Sequence, residues 1–551
     1  MKKIIFILGL AAVVLGTSCS DVLDLNPADR FSPATVWSTT TTADKYVIGL
    51  YSIFGANTEM RGGDAYASPR LSDAYSDILK STSWNQYNHN FNATLLQETA
   101  FNSNSAGAFE CWSSHYDRIR RENEFLRDAA EFGSKFGEDW LKIRIAEVRF
   151  CRAYAYFMLC RVYGGVILRT EVDGPEQNDK ARSTEEECWG FIINELKELT
   201  PDLPLKWDSD NSGRATQKAA YGLLSRVALY AEKWDVAAQA ARDCATAEGN
   251  LDLSENGYAK IFELGINSPE VLFAVEFKSS VIDHAYDAYV RPSGDTKELG
   301  KQVYSGFVPT SELVDSYEMA GDGGNFSWEK HGKDPYANRE PRFYATILYN
   351  GADWMGRKIE SFVGGKDGYK AYENAGAAGT TVTGYYLRKY LIDGDKTWVT
   401  SGSGQDWIVL RYAEVLLNKA EALAMENWNK NSAEALQALN DVRARVGLPA
   451  RATADKETFL EYVRHERKVE LAGEGFRYWD LRRWRLAEKV IDGQNVHGVK
   501  ISKQSDGSFT YEQVDADGGH KRIFYDRYYR FAIPLSERSN NSLCTNNDGW
   551  I

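Results

Sequence analysis

The chain has 551 residues, with 65 Lys and Arg against 78 Asp and Glu, a formal charge of −13 at pH 7, and 43% hydrophobic residues. That charge leaves no general attraction for phosphate backbones, so nucleic acid is not an expected partner. The apolar and aromatic content excludes a disordered chain, and the length fits either about three or four average domains or one large body with an insertion.

Lys2 and Lys3, the apolar run from Ile4 to Leu15, and the small residues Gly16, Thr17 and Ser18 predict an export signal over residues 1–18. Cys19 follows at the first mature position, where a bacterial lipoprotein signal needs a thiol to receive its diacylglyceryl group. Gly16 stands where the usual lipobox has Leu, with Leu15 one step further back. Lipidation at Cys19 is the expectation, and several acyl chains anchor stably where one does not. The apolar run is too short to span a bilayer, and no later segment offers about 18 consecutive apolar residues. No transmembrane helix is expected in the mature protein.

From Asp139 onward, Leu141, Ile145, Val148, Ala155, Leu159 and Val162 recur at helical steps, and Tyr154, Phe157 and Met158 add a second apolar stripe. A helix apolar on that much of its circumference is a buried one, and Gly164 and Gly165 stop it. STEEECWGFIINELKEL reads as the next helix, with Ser183 and Glu186 as a capping box and Pro201 as the stop. TQKAAYGLLSRVALYAEKW and DVAAQAARDCATAEG form a helical pair meeting at Trp234 and Asp235. Two more pairs come late: WIVLRYAEVLLNKAEALAMENW with SAEALQALNDVRARVGLP, and KETFLEYVRHERKVELAGEGF with RYWDLRRWRLAEKVI. Hairpins of this length, with Ala and Gly where helices must approach, have the period of tetratricopeptide-type stacking. The fold class predicted is mainly α: a tetratricopeptide-like helical repeat scaffold with a large, irregular, loop-rich insertion.

Residues 19–551 read as a single body. The scaffold occupies about 40–248 and 406–492, the lobe about 249–405, and an irregular C-terminal segment about 493–551. In the lobe glycine is frequent and rings are many, among them Tyr286, Tyr289, Tyr304, Trp328, Tyr336, Trp354 and Trp398. Loops held on a rigid scaffold are where binding functions tend to sit.

Cys111, Cys151, Cys160, Cys188, Cys244 and Cys544 form no CxxC and have no His at ligand spacing, so they read as small buried hydrophobes, with one or two disulfides as the alternative. HERKVEL places His465, Glu466, Arg467 and Glu470 on adjacent helical turns, which reads as ion pairing along and between helices rather than acid–base chemistry. RYWDLRRWR reads as helix packing with paired arginines. GDGGN from Gly321 and the run IDGDK carry oxygens suited to a structural calcium, but neither reproduces an EF-hand loop. Each reads as a turn, and no metal or cofactor is expected.

Nine strings, taken in order, resemble the SusD/RagB family of outer-membrane lipoproteins. They are CSDVLDLNP, WSSHYDRIRRENEFL, AEVRFCRAYAYFMLCRVYGG, GRATQKAAYGLLSRVALY, FVPTSELVDSY, NREPRFYATILYNG, WIVLRYAEVLLNKAEAL with LNDVRARVGLP, HERKVELAGEGFRYWDLRRW, and RFAIPLSERSNNSLCTNNDGW. Glu340 stands where the family usually has Asp. The resemblance implies a non-catalytic, cell-surface glycan-binding protein, lipid-anchored at the outer membrane through Cys19. Such a protein captures an oligosaccharide or polysaccharide and delivers it to a SusC-like TonB-dependent transporter. It also implies a binding arc built from the loop after the first helix and from the inserted lobe. The matching loop is SDAYSDILKSTSWNQYNHNF, which contributes Asp77, Trp84, Tyr87 and Asn88; the lobe contributes Tyr286, Tyr289, Trp328 and Trp354.

These residue types suit the chemistry. A pyranose has an apolar C–H face and a rim of hydroxyls, so it takes a flat ring below and short polar groups around it. One stacked ring removing roughly 60–100 Å² of apolar area from water gains about 2 kcal/mol. A cluster of Arg61, Arg70 and Lys80 offers a way to accept an acidic glycan despite the net charge. The rival readings are a helical scaffold that binds only protein, a peptide-capture lipoprotein, and a surface glycoside hydrolase or lyase with two carboxylates flanking the sugar.

Overall fold

The computed structural model describes residues 32–56, 59–60, 71–82, 101–174, 179–321, 323–372 and 380–550. Helices dominate, and they come in packed pairs. Helix α1 (Thr40–Leu50) opens with Thr39 and Thr42 capping each other reciprocally. Helix α2 (Trp112–Phe132) packs on α3 (Glu138–Tyr163), which is buried almost without interruption from Ala146 to Tyr163, as its double apolar stripe requires. It ends at Gly164, whose φ of +75° and lack of a side chain let the Arg530 stem pass where a Cβ would sit 2.7 Å from its Cδ.

Helix α4 (Glu185–Leu199) starts one residue later than its sequence predicts. The capping box is Thr184 with Glu187, not Ser183 with Glu186. The string STEEE offers both registers. Ser183 is drawn out of the helix because its N–H donates to the Val166 carbonyl at 2.8 Å, which fixes it as extended chain.

Helices α5 (Gln217–Tyr230) and α6 (Trp234–Thr246) form the predicted pair, and α6 packs in turn on α7 (Tyr412–Arg445). Two predicted helices run together in α7, broken only at Asn427 (φ −164°, ψ 92°), whose side-chain oxygen accepts from the Lys430 N–H at 3.2 Å and caps the second half. Helix α8 (Lys456–Glu470) begins at the cap Asp455 and lies against α7; α9 (Arg477–Arg483) follows it.

Strands are few and short. Among the described residues, apart from two-residue pieces, they are β1 (Leu79–Ser81), β2 (Val271–Val275), β3 (Phe307–Pro309), β4 (Trp407–Arg411), and the hairpin of β5 (His497–Lys503) with β6 (Phe509–Asp515). All pair antiparallel in two-stranded sheets: β1 with β3, β2 with β4, and β5 with β6. Strand β4 corrects the helical reading of WIVLR. Ile408 and Val409 are β-branched and all five residues are buried against β2, so the helix begins only at Tyr412.

Ion pairs inside the molecule weld α8 to the rest. Glu470 meets Arg342 at 2.9 Å, Arg411 at 2.6 Å, and Arg445; Glu466 meets Arg342 at 2.5 Å and Arg443 at 3.0 Å. Arg467 pairs with Asp480 at 2.8 Å, and Arg483 with Asp480 and Glu421. HERKVEL and RYWDLRRWR are therefore structural, as the sequence predicts. Burial pushes the Glu470 carboxyl up, but Arg445, Arg411 and Arg342 outweigh it and hold the group well below the carboxylate range. In IDGDK, Asp393 accepts the Met355 N–H at 2.7 Å and Asp395 accepts from Thr397 at 2.8 Å, so these oxygens serve turns. The six cysteines from Cys111 to Cys544 are free thiols and buried.

Candidate functional site

The first part of the predicted binding loop, from Ser72 to Thr82, is rigidly held. The 3₁₀ turn Ser72–Tyr75 precedes β1, and the Asp73 carboxylate accepts the backbone N–H groups of Gly473 (2.9 Å), Gly475 (3.2 Å) and Arg477 (2.9 Å). Glu59 lies beside it and accepts from the Ser72 N–H at 3.0 Å and from the Ser72 hydroxyl. Gly475, with φ +79°, is what lets the chain pass, since a Cβ there would lie 2.3 Å from the Glu59 carboxylate. Burial, and then mutual repulsion, raises Glu59 to about 8; burial raises Asp73 to about 6 despite its three N–H donors.

Asp77 forms ion pairs with Arg477 at 2.8 Å and Lys468 at 3.3 Å. Burial pushes its carboxyl up, but the two cations prevail and hold it well below its ordinary range. It lines a polar cavity of about 270 Å³ with Glu312, His497, Asn495 and Arg522. Neither Tyr289 nor Tyr304 is in that wall.

Strand β1 is fully buried, and Lys80 within it pairs with Asp517 at 2.8 Å. Its ammonium also lies 4.8 Å from the centre of the Tyr372 ring. Lys80 is thus spent inside the fold, which corrects its inclusion in a basic surface cluster; Arg61 and Arg70 lie outside the described residues. Burial lowers the Lys80 ammonium, while Asp517, pushed up by burial but opposed by Arg522 and Lys80, settles at about 2.

At the end of β1, Thr82 donates its N–H to the Gly306 carbonyl at 3.0 Å and its hydroxyl to the Ser305 carbonyl at 2.6 Å. These bonds fix the end of β1; Trp84, Tyr87 and Asn88, in residues 83–100, lie outside the described residues, as does Cys19. Ser305 is a non-glycine residue at φ +46°, held there because its hydroxyl donates to the Arg291 carbonyl at 2.8 Å. That turn brings out Tyr304, whose N–H donates to the Ala288 carbonyl at 2.7 Å. Its ring stacks on Tyr289 with centroids 4.7 Å apart and planes at 24°. Tyr304 is 36% exposed, so the pair forms a preset aromatic edge within two residues of the β1 exit.

The other lobe candidates are elsewhere. Tyr286 is wholly buried and its hydroxyl donates to the Lys389 carbonyl at 3.0 Å. Trp354 is also wholly buried; its indole N–H donates to Asp295 at 3.0 Å, and the Arg291 guanidinium sits 5.1 Å from its ring. Both readings as ligand contacts are corrected, because a ring with no accessible face has none to offer a sugar. Trp328 is half-buried, donates its N–H to Asp315 at 2.9 Å, and packs by Phe326 and Tyr511 in a separate group of rings. Of the lobe candidates, only Tyr289 stands beside the β1 exit. Tyr304 stands out only in three dimensions; its clue in the sequence is the Ser305–Gly306 pair that turns the chain into β3.

With this geometry in view, comparison with known proteins places the chain in a family. The model described as the SusD family matches residues 269–550, and one described as "starch-binding associating with outer membrane" matches residues 21–229. The chain belongs to the SusD family. It is 25% identical over 547 residues to a SusD-like protein of Bacteroides ovatus, covering 94% of this chain and 90% of the relative. A solved SusD-like protein from Bacteroides fragilis superposes with a TM-score of 0.80 at 27% identity, covering 94% of this chain and 98% of the other. A SusD-like carbohydrate-binding protein from the same species superposes with a TM-score of 0.76 at 24% identity, covering 92% and 99%.

Proposed function

We propose that this protein is a non-catalytic glycan-binding lipoprotein of the outer membrane. In this reading it captures an oligosaccharide between the Tyr289–Tyr304 edge and the residues that follow β1. Cys19 anchors it, and a SusC-like TonB-dependent transporter receives the cargo. The observation that supports the reading best is the stacked tyrosine pair, 4.7 Å between centroids, fixed beside the strand exit toward Trp84, Tyr87 and Asn88. A pyranose face laid on Tyr304 needs no rearrangement of that ring, because Tyr289 already supports it, so little ordering cost opposes binding. Two or three such rings give weak to moderate affinity, which fits a protein that must also release its cargo.

The test is calorimetric titration of the soluble chain, cut after Cys19, with a panel of neutral and acidic polysaccharides and product analysis on the same samples. Saturable binding without new reducing ends, weakened in Trp84→Ala and Tyr304→Ala, is the expected result. Silence across the panel turns the reading toward peptide cargo or a protein-binding scaffold, and cleavage overturns the non-catalytic role.

A further inference from the structure

The scaffold carries an apolar groove close to where the described chain begins. Helices α1 and α2 and the short helix Pro33–Val36 enclose about 260 Å³ between them. Val36 and Leu50 line it together with the half-buried ring of Tyr46, which stacks on Phe125 with centroids 5.9 Å apart and planes at 15°. Of the hydroxyls in the wall, Thr42 donates to the Thr39 carbonyl at 2.9 Å and Thr35 lies 3.0 Å from the Ser32 hydroxyl, while Ser52 is exposed. Gly49 keeps the groove open, since a Cβ there would meet nothing within 4 Å.

The rim is basic. Lys45 and Arg121 are exposed and Arg118 is half-buried, and among the described residues none of the three has a carboxylate within ion-pairing distance. The acidic groups around them are committed elsewhere. Asp44 pairs with Arg144 and Arg214, Glu124 with Arg120, and Asp128 with Arg127. Glu122 is wholly buried, and burial raises it to about 8, so it carries little charge at neutral pH. Burial and then the neighbouring Arg121 charge pull the Arg118 guanidinium down, against support from Glu122 and Asp117.

An apolar floor under three uncompensated cations calls for a partner that carries aliphatic side chains and carboxylates close together. The volume is below the roughly 300 Å³ at which drug-sized pockets begin, so aliphatic side chains fit and an oligosaccharide does not. The chain itself holds such a stretch beside the groove: residues 21–25, Asp-Val-Leu-Asp-Leu, which lie outside the described residues. Leu25 is seven positions before Ser32, a span of up to about 23 Å in extended chain. From Thr42 to Leu50 α1 rises only about 12 Å, so the stretch reaches every part of the groove. Attachment through so short a linker gives an effective concentration of order mM, at which weak contacts suffice.

We propose that Asp21–Leu25 dock in this groove, with the aliphatic side chains against Val36, Tyr46 and Leu50 and the carboxylates toward Lys45, Arg118 and Arg121. Docking leaves only Ser20 between the groove and Cys19. The consequence, which rests on lipidation at Cys19, is that the tether is pinned to the α1–α2 face, and the body is held in one orientation at the membrane.

Methyl NMR on the soluble chain cut after Cys19 tests the docking without lipid or glycan, so its failure and that of the glycan-binding reading are told apart. Leu23 and Leu25 methyl resonances, assigned through Leu23→Ile and Leu25→Ile, are expected to be displaced by the Tyr46 ring and to relax with the body. Gly49→Phe fills the groove at a site with open space, and should move both to the narrow, unshifted positions of unstructured chain. Lys45→Glu with Arg121→Glu should lower the docked-to-free ratio about tenfold, and raised salt should lower it in the parent. Unstructured positions in the parent, or shifted ones that survive both Gly49→Phe and the charge-reversed variant, overturn the proposal. If the parent positions are unstructured and vesicles of equal parts phosphatidylglycerol and phosphatidylcholine shift the Leu50 methyls, the groove belongs to a lipid instead.

Discussion

The inward carboxylates of α8, Glu466 and Glu470, are buried, as is Asp73 before β1 with the half-buried Glu59 beside it, yet the two sets are held in opposite ways. Glu470 sits among three guanidinium groups, those of Arg342, Arg411 and Arg445. Glu59 and Asp73 have only backbone N–H groups and the Ser72 hydroxyl, and among the described residues no cation lies within ion-pairing distance of either. Burial opposes the charged form in both places. Full opposite charges overcome that cost, and dipoles overcome only part of it, so the first cluster stays ionised into acid while the second takes up a proton near neutrality. The two clusters therefore load stability with opposite pH signs.

The sharpest way to break the comparison is Arg411→Ala, which removes the guanidinium that pairs with Glu270, Glu470 and Glu474 together and leaves them to Arg445, Arg342 and Lys389. A loss of about 3–5 kcal/mol in denaturant unfolding is expected; a loss below about 1 kcal/mol would show that the arginine cluster is not what holds α8. Trp354→Ala probes the buried rings on the same scale, with about 3–5 kcal/mol expected from the cavity it leaves.

Glu59→Gln addresses the other cluster. Its folded value, raised to about 8, means that its stabilising contribution is present below the ordinary carboxylate range and is lost as pH climbs through about 8. The variant should be more stable than the parent by a few kcal/mol near pH 9, with the difference vanishing near pH 4. Parallel pH–stability curves for parent and variant would remove this arm of the contrast.

Tyr304→Ala should barely move the unfolding midpoint while weakening glycan binding about tenfold. Arg120→Ala, at an exposed helix pair with Glu124, should change neither measurably.

The long helices are legible because burial on several sides writes itself as apolar residues at steps of three and four, as in α3. The WIVLR strand is not, because five apolar residues ahead of a helix look the same whether they coil or extend, and only the pairing with β2 decides. The start of α4 shows the same limit: two caps were available, and a contact with Val166 from an earlier segment chose between them. At the candidate site, the lobe's richness in rings is plain in the sequence, but which of them face inward is not. Tyr286 and Trp354 are buried by neighbours distant in the chain, while Tyr304 is brought out by a turn that depends on the Ser305 hydroxyl reaching Arg291.

The six buried thiols carry a practical consequence. None forms a disulfide; burial pushes the Cys111 and Cys151 sulfhydryls well up, whereas its hydrogen bond with Cys160 draws Cys188 below the ordinary thiol range, so reaction with the folded protein is governed by access. A thiol-reactive dye added to the chain cut after Cys19 therefore reads local opening wherever one of these thiols sits, from the α2–α3 region to α4, α6 and the C-terminal segment, turning the native cysteines into an internal clock for how often each part of the scaffold breathes.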